Sequence, residues 1–480
     1  MKYIALTIGP IYKTLANAKT TRELWGGSYI FSYIMKEIIK AFKDREFIIP
    51  YVKDETIFDI GKGVGLFHDR FIFEAPNDTK ESVESVVDEV LSQLAKDSKI
   101  NYKFLKNYFQ INIVEREPKE EVNPILELSP YLDTAELFYK VSQYEENHLQ
   151  VFLKDRLNSR FLVKDAFNKS KKSFPSLPEI AMYDLKNKFN IASMIKGDEL
   201  KVYEDKDIRK VIKPYHKYIA IVQADGDSMS KVVDSLKKSE DFNNFSEKLF
   251  NYCNNSHQLI QEYGGETIFA GGDDLLFFAP VVSGENTIFN LCDKISDMFD
   301  ELFKDYHTTP KASLSFGVSI TYYKFPLYEA LESARELLFS KAKSGNKNNI
   351  AFRVTKHSGQ SFEAVIHKGN REIYDNFIVF SSNIEKSDSV DNFLHSIHHK
   401  IDTYKTTINI IAKNKDTNQL KNFFDNYFDE AIHNQYREFF ELLTDFIYAV
   451  FKDSSIKQDD KLNLIYATLR FVKFIKGDKE

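Results

Sequence analysis

The sequence predicts an α+β protein made of two copies of one β-α-β-β-α-β unit plus two mostly helical segments. Three observations predict it. Short apolar runs of strand type alternate with stretches of helical spacing, in the same order, twice along the 480 residues. Between the copies, and again after the second, apolar residues recur three and four apart. The composition, 43% hydrophobic and 28% charged with 41 Phe and 26 Tyr, belongs to a folded chain and not to a disordered one.

In the first copy, "YIALTI" (3–8) reads as a buried strand, and the Gly-Pro behind it hands over to one helix from about Lys13 to Phe42. "EFIIPYV" and "RFIFEAP" are strands separated by the glycine-rich "DIGKGVGLFHD". "KESVESVVDEVLSQLAKD" has helical spacing, and "YFQINIVER" closes the unit as a strand. This is the split βαβ order of ferredoxin-like domains. The second copy runs through strand "KYIAIVQAD", a helix to about Tyr263, strand "ETIFA", turn "GGDD", strand "LLFFAPV", a helix over 284–306 and strand "SLSFGVSIT". A helix, "LYEALESARELLFSKAKSGNKN", and strand "IAFRV" extend it. The expected domains are 1–116, a mostly helical 117–212, 213–356, and a helical bundle over 357–480.

Charge and cysteine content narrow the function. Lys and Arg number 65 against 71 Asp and Glu, a formal charge of -6, so no global basic excess advertises nucleic acid and any RNA contact is local. The two cysteines, Cys253 and Cys292, exclude a disulfide framework and a four-cysteine zinc site and suit a reducing compartment. Gly9, Pro10 and nearby lysines interrupt the apolar N-terminus before a signal core or membrane span forms. A cytoplasmic protein with no membrane partner is the expectation.

The chemistry concentrates in the second copy. Its first strand ends in "ADGDSMSK", with Asp225 and Asp227 two apart on one face and Gly226 between them for close backbone approach. In a ferredoxin-like sheet that strand neighbours the one leaving the GGDD turn, which brings Asp225 to Asp273 and Asp274. Clustered carboxylates repel unless a cation neutralises them, and an oxygen-only set suits Mg²⁺ or Mn²⁺. Two such ions about 3.5–4 Å apart serve nucleotidyl transfer. Gly271 and Gly272 supply the tight turn and room for a base or sugar; a plain hairpin turn explains the glycines equally well. Ser228 follows the acids, and Lys343, in "SKAKSGNKN" with Lys341, Lys347 and Gly345, is placed to meet a triphosphate. A lysine at a helix C-terminus also has the macrodipole as its reason.

"YIAIVQADGDSMSK", "FAGGDDLLFF", "SLSFGVSIT" and "AKSGNKN" resemble the palm of GGDEF-type nucleotide cyclases, and more closely the large polymerase-like subunit of type III CRISPR effector complexes. "IGPIYKTLANAKTTRELWGGSYIFSYI" and "FPSLPEIA" resemble signatures of its Cmr (type III-B) version. The resemblance implies a non-catalytic first palm, a helical domain, a second palm with the active site, and a terminal bundle that docks on small helical subunits. It implies that target RNA binding triggers conversion of ATP to a signalling nucleotide, typically cyclic oligoadenylate. Asp225, Asp273 and Asp274 become the ligands of two Mg²⁺ or Mn²⁺ ions; Gly226, Asp227, Ser228, Gly271, Gly272 and Lys343 become nucleotide contacts. Implied partners are the other Cmr-type subunits, guide RNA, target RNA and ATP.

Three departures from that pattern matter. The chain opens on the first palm without an HD nuclease domain, so DNA cleavage is not expected; His68-Asp69 sits in a turn and lacks the further ligands of such a site. The zinc-binding cysteines are missing, so no zinc is expected and packing alone holds the middle domain. In the loop facing GGDD, Asp69 replaces the usual Asn of "PNRF"; an added negative charge would favour a cationic acceptor such as S-adenosylmethionine over a second triphosphate, and neutral drift in a surface loop explains the change equally well. His395, His398 and His399 read as a polar helix face, Trp25 as an anchor between the palms, and "KSKK" (169–172) as a solvated loop or an RNA phosphate contact. Two rival readings stand beside the synthase: a non-enzymatic scaffold of the RNA-guided complex, and a free-standing diguanylate cyclase.

Overall fold

The computed structural model describes residues 1–59, 63–118, 122–137, 174–186, 189–191, 195–196, 199–200, 206–382, 390–413, 417–426 and 437–476. They fall into two compact units: residues 1–176, 224–278 and 295–314, and residues 177–223, 279–294 and 315–480. These units cut across the boundaries expected at 116, 212 and 356.

The first copy forms a four-stranded sheet of β1 (Tyr3–Gly9), β2 (Phe47–Ile49), β3 (Arg70–Glu74) and β4 (Gln110–Arg116), in the order β2-β3-β1-β4. β1 is antiparallel to both neighbours, with Ala5 opposite Ile72 on one side and Val114 on the other. Helix Thr21–Ala41 buries Leu24, Trp25, Ile30, Ile34 and Ile38, the face its 3.6-residue spacing predicts. The single helix expected from Lys13 to Phe42 is two, Ile11–Ala16 and Thr21–Ala41. Thr20 is the reason: its backbone is extended and its hydroxyl accepts from Glu23 N at 3.2 Å, an N-cap that starts a new helix.

The second sheet has six strands: β5 (Tyr218–Asp227), β6 (Glu266–Gly271), β7 (Asp274–Pro280), β8 (Ser313–Tyr322), β9 (Asn349–Thr355) and β10 (Ser361–His367). Their order is β10-β9-β8-β5-β7-β6. The inner part, β8-β5-β7-β6, places fourth, first, third and second strands of the copy side by side, as the first sheet does. The internal repeat read from pattern is therefore a repeat of topology. β9 adds parallel to β8, and β10 adds antiparallel to β9.

Two expectations are corrected here. Residues 361–367 were to begin the terminal bundle, but they form β10, whose residues alternate between exposed and buried with the period of a strand. The helix expected at 284–306 starts at Ile288, because residues 282–287 turn through Gly284 (φ +60°) as a short strand pair. Beyond β10 the helical reading holds for Arg371–Ser382, Val390–Lys413, Thr417–Asp425, Arg437–Lys452 and Gln458–Lys476. Among the described residues no helix is long and apolar enough to cross a membrane. In the middle segment, helix Pro124–Glu136 matches expectation, whereas Ile195–Lys196 and Glu199–Leu200 pair as strands. "KSKK" lies outside the described residues.

Candidate active site

The acidic residues come together inside the first compact unit. β5 ends in Asp225, Gly226 and Asp227, and its neighbour β7 begins at Asp274. The β6–β7 hairpin closes through the pair Gly271 and Asp274, leaving Gly272 and Asp273 as a two-residue loop. Gly272 has φ +65° while Asp273 is not left-handed, the requirement of a type II′ turn, which demands Gly at the first central position. A Cβ at Gly226 would lie 2.7 Å from Asp273 Oδ2 and 2.7 Å from Met229 Cγ. The Asp273 carboxylate therefore occupies the notch that a missing side chain leaves on β5. Asp225 and Asp273 are half-buried, and Asp274 is exposed.

Asp227 is covered. It is 1% exposed, and its Oδ2 accepts from Ser313 Oγ at 3.0 Å on β8. Period-two alternation put it beside Asp225 as a nucleotide contact; burial takes its carboxylate out of reach and makes it part of the sheet's internal bonding. Ser228, half-buried, turns the chain at φ +62° into helix Met229–Ser235.

Gly271 also differs from expectation. A Cβ there would meet the Phe269 ring at 2.9 Å, His68 Cβ at 3.0 Å and His68 Cα at 3.2 Å, so the space is filled by protein and not kept for a base or sugar. The same contact packs His68 of the first-copy loop directly on Gly271, where pseudo-symmetry puts that loop across a crevice from GGDD. Close packing pushes the His68 imidazole down to about 4. Asp69 is pushed up by burial, with the adjacent Arg70 guanidinium pulling the other way. Its backbone carbonyl accepts from Ile8 N at 2.9 Å, and Arg70 reaches Asp133 and Glu136, each at 2.7 Å.

Beneath the hairpin are two residues the sequence did not single out as functional. Cys253, in helix Ser239–Tyr263, is buried and donates to Gly272 O at 3.3 Å. Burial, followed by the charges of Asp273 and Asp274, pushes its thiol up, so it stays protonated. Tyr252 is fully buried; burial raises its phenol, and the charges of Asp273, Asp274 and Asp225 add to the effect. Both sit on the helix's core face, where their spacing signals packing only.

Lys343 lies in the other compact unit, half-buried at the end of the π turn Leu337–Ala342. Lys341, beside it, is committed to an ion pair with Glu363. Trp25 is 1% exposed, stacked on Tyr29 at 5.1 Å and Phe174 at 5.6 Å, with Nε1 donating to Gly63 O, so it is a core residue and not a base-stacking platform. His395, His398 and His399 fall within helix Val390–Lys413; the side chains of the first two lie outside the described ones.

Among the described residues no three or more His, Cys, Asp or Glu side chains already stand in a metal-holding arrangement. The donor set still fits a hard divalent cation: Asp225, Asp273 and Asp274 are oxygen ligands on adjoining strand ends, close enough that all three charges act on one phenol.

This sheet and this carboxylate hairpin have the layout of a palm domain. Residues 218–351 match the family model of the Cas10/Cmr2 second palm domain, and residues 3–100 match that of the CRISPR-associated protein Cmr2 N-terminal domain. Two separate segments of the chain are thus similar to Cmr2, one at the N-terminus and one over the second copy. The CRISPR system Cmr subunit Cmr2 of Pyrococcus furiosus is 29% identical over 251 residues, an alignment covering 46% of this chain and 28% of that relative. The chain therefore aligns with well under half of that relative's length. Among solved structures, a Csm1–Csm4 cassette in complex with cA4 aligns with TM-score 0.56 at 12% identity, over 99% of this chain and 70% of that one. A Type III-B Cmr-β complex bound to cognate target RNA gives 0.53 at 12%, over 85% and 76%. At these identities the likeness is one of fold.

Proposed function

We propose that this chain is the signal-generating nucleotidyltransferase of a type III CRISPR RNA-guided complex, converting ATP into a second messenger when target RNA binds. The observation that carries the reading is the seating of Asp273 in the Gly226 notch, with Asp225 and Asp274 beside it and the first-palm loop against the same hairpin. Asp225, Asp273 and Asp274 would hold two Mg²⁺ or Mn²⁺ ions, which supply activation of the attacking oxygen and charge neutralisation at the leaving phosphates. The bond formed joins an acceptor 3′-hydroxyl to the α-phosphorus of ATP; the bond broken releases pyrophosphate, and the hydroxyl proton passes to solvent. Solved relatives of the same fold carry cA4 or AMPPNP, which supports a nucleotide site, and another is bound to target RNA, which supports the partners: other Cmr-type subunits, guide RNA and target RNA.

The acceptor is a second ATP, giving cyclic oligoadenylate, or S-adenosylmethionine, giving its AMP conjugate. Asp69 favours the second, since a carboxylate in the loop against GGDD offers a partner for the α-amine. The test incubates the assembled complex with labelled ATP, Mg²⁺ or Mn²⁺ and cognate RNA, with and without S-adenosylmethionine, and identifies products by mass spectrometry. A conjugate of S-adenosylmethionine and AMP supports the full reading, and cyclic oligoadenylate alone in both reactions removes the S-adenosylmethionine branch. No ATP-derived product, or unchanged product from an Asp273→Ala, Asp274→Ala double variant, leaves the scaffold reading in its place. A product made only from GTP by the free chain would favour the diguanylate cyclase.

A further inference from the structure

A two-residue hairpin loop satisfies its flanking residues through the ladder and leaves the carbonyl of its first central residue to find another donor. Here that carbonyl, Gly272 O, receives the Cys253 thiol at 3.3 Å. The donor comes from the middle of a 25-residue helix, Ser239–Tyr263, and is 1% exposed, so it touches no substrate and cannot swing away. Next to it Tyr252, 0% exposed, packs edge-on against Phe299 at 5.1 Å and has no hydrogen-bond partner for its hydroxyl among the described atoms.

The peptide joining Gly272 to Asp273 is one rigid plane. Fixing its oxygen fixes the direction of its N–H and hence how the Asp273 Cα–Cβ bond leaves the turn. Contacts also hold the loop: Asp273 in the Gly226 notch, and His68 with Phe269 over Gly271. From this geometry we infer that Cys253 is a positioning residue, whose hydrogen bond to Gly272 O sets the tilt of the 272–273 peptide and so the aim of the Asp273 and Asp274 carboxylates. The inference deepens the nucleotidyltransferase reading and rests on it for its kinetic consequence.

Three variants of the full chain, assembled in its complex, separate donor from volume. Cys253→Ser keeps a donor, Cys253→Val keeps apolar bulk without one, and Cys253→Ala removes both. Two readouts are taken: hydrogen exchange of peptides spanning 269–276, and product formation against ATP and Mn²⁺ concentration. The expected result is faster exchange in the hairpin for Val and Ala and a fall of about three- to tenfold in kcat, the size of one net hydrogen bond. KM for ATP stays near wild type, the half-saturating Mn²⁺ concentration rises, and Ser retains the larger part of both properties. Val indistinguishable from wild type in exchange and kcat overturns the inference, as does Ser falling as far as Val, since either outcome makes the residue one of packing alone. Should the wild-type complex form no nucleotide product, the functional reading fails while the exchange comparison still decides the positioning claim. If Val does not fold, Ala takes its place beside Ser, and an Ala variant equal to wild type in exchange and kcat overturns the inference.

Discussion

Asp273 lies against Gly226: its carboxylate oxygen sits where a Cβ at 226 would come within 2.7 Å. One residue's missing side chain thus seats the other's charge. Gly226→Ala would push the Asp273 carboxylate out of its notch, and a misplacement of this kind costs on the order of 10²-fold in rate. The expected outcome is that loss in product formation with a thermal midpoint close to wild type. Retained activity would show that Asp273 works from another position.

Asp274 and Asp227 should respond in opposite ways to truncation. Asp274 is exposed at the start of β7, so Asp274→Ala should leave stability within about 0.5 kcal/mol while removing most product formation. Asp227 is buried and bonded to Ser313, so Asp227→Ala should cost about 1–3 kcal/mol by orphaning that hydroxyl. Denaturant midpoints measured beside activity separate the two.

Acid should weaken the fold through two imidazoles. His68 and His216 are held down to about 4 by burial, against 6.5 for a free imidazole. The unfolded chain binds these protons first, so the stability is fully present above about pH 6.5 and is lost progressively as pH falls toward 4, by at most about 3 kcal/mol per residue. His216 Nδ1 accepts from Lys213 N at 2.8 Å. His216→Asn keeps an acceptor there without the titration and should flatten the fall in urea midpoint between pH 7 and 4.5.

Removing Asp69's charge should move the acceptor choice. Asp69→Asn restores an amide at the loop against GGDD, and the expected outcome is a lower yield of the S-adenosylmethionine conjugate with more oligoadenylate. Product ratios at fixed ATP and S-adenosylmethionine measure it; an unchanged ratio would make Asp69 irrelevant to acceptor choice.

Strand and helix order, the repeat of one α+β unit, and the meeting of the β5 acids with the GGDD hairpin were legible in the sequence. Hydrophobic period and turn chemistry are local signals, and a ferredoxin-like order leaves little freedom in which strands adjoin. The tertiary structure alone decided that Asp227 is covered while Asp225 is not, because alternation gives the face of a strand and not what packs on it. It likewise decided that His68 fills the space at Gly271, and that Cys253 reaches Gly272. Those contacts join residues far apart in the chain, and only folded coordinates say which empty volume each side chain takes.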